Sequence, residues 1–517
     1  MIKRIEAKRL FMATAVTLAA SAGMMTNADV PLEYHASLAF QASTESLAPY
    51  MLGSWNEGRY SEGSGLWQEA GIHKPLDRSK RFSWSAGIDY IAGFGSETAY
   101  EQWDPNSKTW GTHKIHLPYL RLQQLYGQVK YRSLQLTAGL RYTHSKIVDD
   151  TMSSGDLTRS NNAAPIPGVT IGFIDFQNIP YTNGWVQIDG EIMYGRMTDT
   201  GFNDREFNYY SGVRAMNRWY NYKRLYFRTN PEKNFHVTLG MQAAGMFGGS
   251  TYLYDKGRIY YSSDRGFRFK DMLQMLFPRE GGERYYTGNH LGTWDLKATY
   301  RFKGGSSLQA YFEWPWEDGS GIGKMNGWDG LWGLQYNFGR EGYVTKITVE
   351  YLDFTNQSGP IHYAPNDHPG TPITGQAQGA DDYYNNDDYG SYANYGLSIG
   401  TPFLMSPLYN RSGMLDYLHN RARGFHAAIE GNPDPRLSYR IKASYQKAGG
   451  NGWVPSPNYL HCTSMMFEAK GMPFKKIPEL SVSACIAFDK GDLRGDNFGA
   501  RIKVEYNGDF TIKSKKK

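Results

Sequence analysis

Twelve histidines and fifty acidic side chains give this 517-residue chain many groups that could do chemistry. What matters is whether any of them converge. The nearest approach to a nucleophile beside a base is His144-Ser145, at the end of a strand-like run. A serine hydrolase needs a third group that orients the histidine, and the neighbouring sequence identifies none. His290 lies between Asn289 and Leu291, and His362 sits in a polar stretch. No H-E-x-x-H pair or phosphate loop occurs. The run Asp381-Asp382-Tyr383-Tyr384-Asn385-Asn386-Asp387-Asp388 offers hard oxygen donors, but it lacks the central glycine and final glutamate of a calcium loop. It reads as a solvated acidic loop. Cys462 and Cys485 are the two cysteines. They fall on neighbouring strand-like runs, and both a disulfide and two separate apolar side chains fit that placement. The expectation is therefore no enzyme, no cofactor and no metal.

The elements are better defined than any site. In 326–354, Trp332, Leu334, Tyr336 and Phe338 alternate with Gly333, Gln335 and Asn337; after the turn at 339–342, Ile347, Val349 and Tyr351 alternate with Lys346, Thr348 and Glu350. A period of two is the signature of a strand, and the turn makes the pair a hairpin. Similar runs recur from Phe82 to Tyr506, giving sixteen to eighteen in all. Terse turns at 302–306, 339–342 and 431–435 alternate with long connections at 145–165, 248–292 and 353–390. That pattern predicts an all-β fold: a large transmembrane antiparallel β-barrel of about 18 strands, with short helical loop or plug elements.

In this reading Val349 faces lipid while Lys130, Lys346, Thr348 and Glu350 face a polar lumen, so arginine is expected to be milder at 348 than at 349. Aromatics at strand ends, Tyr131, Tyr142, Trp185, Tyr220, Tyr300, Trp314, Trp332, Tyr343 and Tyr506, are candidates for the interfacial girdles.

Residues 1–28 read as a secretory signal peptide: a basic start, an apolar run and a small-residue cleavage site at Thr26-Asn27-Ala28. No later window approaches the roughly 20 apolar residues of a membrane-spanning helix, and the mean hydropathy is -0.58. Removing the leader takes four basic residues and one glutamate with it, lowering the formal charge from +6 to +3; nothing in that balance suggests nucleic acid. Residues 29–80 read as an N-terminal periplasmic or first-strand region, 81–510 as the barrel, and 511–517 as a basic tail.

Two segments stand out between strands. Phe269, Met272, Leu273 and Leu276 repeat at helical spacing before Pro278, predicting a two-turn helix that could plug the barrel or simply lie in a surface loop. The stretch 353–390 and its continuation carry amides and aromatics suited to sugar hydroxyls and ring faces: Asn356, Gln357, His362, Tyr363, Tyr383, Tyr384, Asn385, Tyr389 and Tyr392. The same aromatics could equally fold the loop over the barrel mouth.

The phrases SGDLTRSNNA, VRAMNRWYNYKRLYFR, FKDMLQMLF, GNHLGTWDLKATYR, NGWDGLWGLQY, TKITVEYLDFTNQSGP, NNDDYGSYANYGLSIGTPFL and NRARGFHAAIEGN resemble the capsule assembly Wzi family in its Bacteroidetes-type form, from about residue 80 to the C-terminus. The resemblance implies an eighteen-stranded barrel in the outer membrane of a Gram-negative bacterium, with helical elements obstructing it. It also implies a role in attaching or organising capsular or other surface polysaccharide rather than exporting it. Expected partners are that polysaccharide and the outer-membrane lipids and lipopolysaccharide around a monomer. The functional alternative is a porin or substrate-specific channel, because a polar lumen serves either.

Overall fold

The structure is a computed structural model that describes residues 29–276, 287–317, 321, 324–359, 362–364, 376–378 and 381–513. The expected signal peptide, 1–28, lies outside them. Eighteen antiparallel strands close into a barrel. In chain order they are β1 Val30–Ser43, β2 Gly65–Lys74, β3 Phe82–Gly95, β4 Leu120–Tyr131, β5 Leu134–Leu140, β6 Gly168–Phe173, β7 Val186–Arg196, β8 Trp219–Thr229 and β9 Phe235–Phe247. The remaining strands are β10 Asn289–Arg301, β11 Ser307–Glu317, β12 Gly330–Asn337, β13 Gly342–Asp353, β14 Ala422–Asp434, β15 Leu437–Gly450, β16 Pro455–Gly471, β17 Leu480–Lys490 and β18 Asn497–Ile512. Each pairs with its sequence neighbours, and β1 closes the ring on β18, from Val30 opposite Ile512 to Ser43 opposite Gly499. No helix among the described residues is long and apolar enough to cross a membrane.

The 330–353 hairpin has the expected faces. Leu334 pairs with Val349 and Tyr336 with Ile347; Leu334 and Val349 point outward, whereas Gln335, Thr348 and Glu350 are buried inside. Connections alternate as expected: 75–81, 132–133, 230–234, 302–306 and 435–436 at one end, and 44–64, 96–119, 141–167, 197–218, 248–288 and 354–421 at the other. Short turns mark the periplasmic end of an outer-membrane barrel and long loops the outer end. Outward-facing Phe82, Tyr131, Trp185, Phe235 and Tyr300 gather at the short-turn end, and Phe94, Tyr119, Phe425 and Phe498 at the other.

Several expectations are corrected. The stretch 29–80 holds two barrel strands, β1 and β2, and β18 runs through Ile512, into the segment read as a tail. Tyr142 and Tyr220 are not girdle residues. Tyr142 donates to Gln123 Oε1 at 3.3 Å, and fully buried Tyr220 meets the Tyr392 hydroxyl at 3.0 Å. Cys462 and Cys485 are both buried and unbonded, and Cys485 lies opposite Glu468 instead of Cys462.

The expected helix forms, and its contacts separate its two expected places. Besides α1 Tyr50–Gly53 and α2 Thr200–Glu206, the chain forms α3 at Phe269–Leu276. Met275 is its buried apolar residue; Phe269 and Leu273 are exposed. The Tyr194 hydroxyl donates to Met272 O at 2.6 Å, and Lys223 donates to Met275 O. Alternation puts Tyr194 with Ile192 and Lys223 with Leu225, both outward-facing neighbours. A Cβ at Gly245 would stand 2.1 Å from the Asn289 backbone oxygen, so this wall position needs glycine, and it leaves room for Met275 Cε, 2.7 Å from that Cβ position. Helix α3 therefore lies against the outside of the wall and does not plug the lumen.

Two outcomes follow. An epitope inserted after Asn106, at the tip of the Thr98–Asp104/Thr109–Ile115 hairpin on the long-loop end, will be labelled on intact cells, and one after Arg340 will not. Val349→Arg will cost about 2–4 kcal/mol if it sits at the bilayer midplane. Thr348→Arg will be no milder, because Thr348 is 0% exposed in a filled lumen; urea unfolding of the two variants checks the comparison.

Candidate functional site

The lumen is occupied by three connections from the outer end. The central one is 141–167, whose backbone is fixed by side chains on the far wall. Glu350 Oε2 accepts the Ser154 N–H at 2.8 Å, Glu313 Oε2 accepts that of Leu157 at 2.9 Å, and Lys297 donates to Ile147 O at 2.7 Å. Lys346 donates to Asp149 at 2.7 Å, His426 bonds Met152 O at 3.0 Å, and Lys442 reaches Ser153 O at 3.4 Å. Gln242 donates to both oxygens of Asp156, at 3.2 and 3.1 Å. These partners come from β9, β10, β11, β13, β14 and β15, so the segment spans the bore.

The second segment, 381–421, packs on the first from the outer side. Ser160 Oγ donates to Gly400 O at 2.6 Å, Thr401 Oγ1 to Ser154 O at 2.9 Å and Tyr392 OH to Thr158 O at 2.8 Å. The third, 44–64, carries α1: Asp489 accepts the Tyr50 N–H at 2.7 Å, and Arg501 donates to Leu52 O at 3.0 Å. One apolar cluster joins Ile147 and Leu157 of the plug, Tyr220, Tyr222, Tyr226 and Tyr311 of the wall, and Tyr384, Tyr392, Phe403 and Tyr417 of the cap. Inward tyrosines on a barrel wall make sense only against a packed interior.

This assigns structural contacts to most of the residues expected at a glycan surface. Tyr383, Tyr384, Tyr389, Tyr392 and Gln357 are buried. Asn326 donates to the Tyr383 hydroxyl at 2.9 Å; Tyr384 N–H donates to Glu317 at 2.6 Å, and its hydroxyl bonds Leu157 O. Asn385 donates to Tyr417 O at 3.0 Å, while Asn356 is exposed. His362 and Tyr363 belong to a short strand, His362–Ala364, paired with Gln376–Gln378. The acidic run is used piecemeal: Asp381 accepts Ser358, Asp382 accepts Asn420 and Asp388 pairs with Arg265. Among the described residues no group of three or more His, Cys, Asp or Glu is arranged to hold a metal.

Nor do His144 and Ser145 form a catalytic pair. His144 bonds Asp150 at 2.9 Å, while the Ser145 hydroxyl donates to Asp156 at 2.6 Å and accepts the N–H groups of Ile147 and Val148. The serine shapes the turn into the lumen.

The outer end carries an aromatic cluster that composition did not single out. Trp103 and Trp110 face each other across the 98–115 hairpin, and Tyr210 lies against both, with centroids 5.1 and 4.8 Å away. Trp110 remains exposed. Two tryptophans flanking the turn DPNSKT were the available signal; the approach of Tyr210, from another connection, left none.

Beneath the cluster, α2 ends at Glu206, whose carboxylate oxygens are buried with no hydrogen-bond partner among the described residues. Burial, helped by the charge of Asp199, pushes its pKa up to about 8.

Barrel, filled lumen and long outer loops define the class: an outer-membrane-type β-barrel with an obstructed bore. Among solved structures, the chain is similar to Wzi of Escherichia coli, described as an outer-membrane protein involved in group 1 capsule assembly and a carbohydrate-binding β-barrel. The TM-score is 0.52 at 13% identity, covering 91% of this chain and 83% of that one. It is also similar to OccAB2 of Acinetobacter baumannii, with a TM-score of 0.47 at 8% identity over 93% and 98% of the two chains. OprD of Pseudomonas aeruginosa gives a TM-score of 0.44 at 9% identity, covering 94% of each. At these identities the likeness is one of fold. No protein-family model and no curated protein sequence matches the chain.

Glu206 generates a pH prediction. Its folded pKa of about 8 lies above the ordinary 4.5, so the stability it confers is complete below about pH 4.5 and is lost as pH rises through 8. Amide exchange across 200–216 will therefore speed up between pH 5 and 8 beyond its intrinsic pH dependence. Glu206→Gln will remove that excess.

Proposed function

We propose that this chain is a non-enzymatic protein of the Gram-negative outer membrane that helps attach or assemble a capsular or other surface polysaccharide. In this reading it is monomeric, with its outward faces against lipid and lipopolysaccharide. The observation that carries the reading is the hydrogen-bonded filling of the bore by 44–64, 141–167 and 381–421. A diffusion channel needs a continuous aqueous path, whereas a surface-binding barrel needs only a rigid outer face. Supporting it are the similarity in fold to a barrel described as carbohydrate-binding and the cluster in which exposed Trp110 is backed by half-buried Trp103 and Tyr210, since aromatic faces suit the less polar faces of sugar rings. Tyr383 and Tyr384 serve this role indirectly, by holding the cap together.

Planar-bilayer recording of the purified protein will show no stable open conductance; a steady conductance of wide-barrel size would favour the porin reading. In cells, Trp110→Ala combined with Tyr210→Ala will release polysaccharide into the medium, with total synthesis and surface display of the protein unchanged. Unaltered retention of polysaccharide in that variant would remove the platform from the reading.

A further inference from the structure

A second feature lies at the opposite end of the barrel from the aromatic platform. Below the 141–167 segment, on the short-turn side, β8 to β11 line a cavity of about 320 Å³, within the size range of small-ligand sites. Its walls follow from strand register. Arg228 lies opposite Thr238, which lies opposite Lys297; one step nearer the periplasm His236 lies opposite Thr299, which lies opposite Gln309; and Arg301 lies opposite Ser307. Lys146 forms the roof. None of the ten lining residues is acidic.

The cations here are held by neutral acceptors. Arg228 donates twice to Gln187 Oε1, at 3.0 and 2.6 Å, and its guanidinium lies 3.9 Å from the Phe176 ring centroid. Arg301 donates to Pro231 O at 2.7 Å, and Lys297 to the carbonyls of Lys146 and Ile147 at 3.2 and 2.7 Å. Carboxylates approach from outside the lining: Asp175 and Asp189 stand 3.9 and 4.0 Å from Lys146, Asp189 is engaged more closely by Arg224, at 3.2 Å, and Asp149 and Glu313 act on Lys297.

A second lumen cavity, of about 300 Å³ and lined by β14 to β18, provides the contrast. Glu430, Glu468 and Glu505 stand in its lining, and four of its five cations meet a carboxylate: Arg440 meets Glu468, Lys470 meets Glu505 at 3.3 Å, and Lys503 and Arg59 meet Glu69 at 3.1 and 3.6 Å, while Arg501 donates to Gln41 Oε1 and Leu52 O. One chamber thus carries carboxylates in its lining beside its cations, and the other lines itself with Lys146, Arg228, Lys297 and Arg301 and no carboxylate. Gathering like charges without counter-ions costs folding free energy, and guanidinium forks match the paired oxygens of carboxylate and phosphate.

We propose that the chamber under Lys146 is a binding site for an anionic oxygen group, a carboxylate or phosphate, on a ligand entering from the periplasm. The site is independent of the polysaccharide role proposed for the outer face, so either assignment can fail alone.

The test is calorimetric titration of the full-length protein in neutral detergent at low salt, using inorganic phosphate, glucuronate and uncharged maltose as probes. Phosphate or glucuronate will bind, and the tighter of the two identifies the source of the charge. Affinity will fall with added salt. It will also fall by about tenfold or more in Arg228→Gln/Arg301→Gln, with Arg440→Gln in the second chamber leaving it unchanged. Retention of the folded band on unheated gels confirms the barrel, and Arg301→Gln alone carries the test if the double variant does not fold. Absence of anion binding to the wild type, equal binding of maltose, or undiminished affinity in the folded variants would overturn the assignment.

Discussion

Hydrocarbon offers no hydrogen bonds, so a sheet that crosses it can have no free edge. In this chain that constraint is met at the β1–β18 seam, where the first and last described strands pair along their length. The seam explains why the segment from Val30 must be a strand although its alternation is faint, and why β18 continues to Ile512. It also forces the outward apolar and inward polar order of the other strands, because each stave has lipid on one side and the enclosed space on the other.

Once closed, an eighteen-stranded ring encloses more space than its own side chains fill. This protein fills it with chain. Polar backbone brought into the bore needs partners, and the wall supplies them through Glu313, Glu350, Lys297 and His426. An unsatisfied buried group costs about 1–3 kcal/mol, so these contacts fix the position of 141–167 as firmly as apolar packing does. The rigidity is passed to the outer surface through 381–421.

The barrel was legible because lipid imposes one rule on every strand, and the 330–353 hairpin obeys it residue by residue. Strands β1 and β2 were harder, since Trp67 and Glu69 of β2 both face inward, against Tyr60 and against Lys503, and mix the two faces. The plug was not legible. Ser154 to Ala163 is as polar as a surface loop, and only the distant carboxylates that accept its N–H groups reveal that it is buried. Tyr383 and Tyr384 failed for a related reason: a tyrosine that hydrogen-bonds inside a core and one that stacks on a sugar look alike in sequence. Helix α3 had a real apolar face, but periodicity cannot say on which side of a wall that face rests.

The 141–167 segment leaves the wall between β5 and β6, yet it is anchored by side chains of β13, β14 and β15, far later in the chain. Those anchors converge on it only when β13, β14 and β15 stand in the wall. The segment must therefore wait, undocked, until roughly the last third of the polypeptide is in place, and its seating reports that the ring is nearly complete. Long-range contacts of this kind are slow to form because the intervening chain must first be ordered. The barrel's interior is thus seated late in its own biogenesis, and a lesion in β14 or β15 would be felt first as an unseated plug.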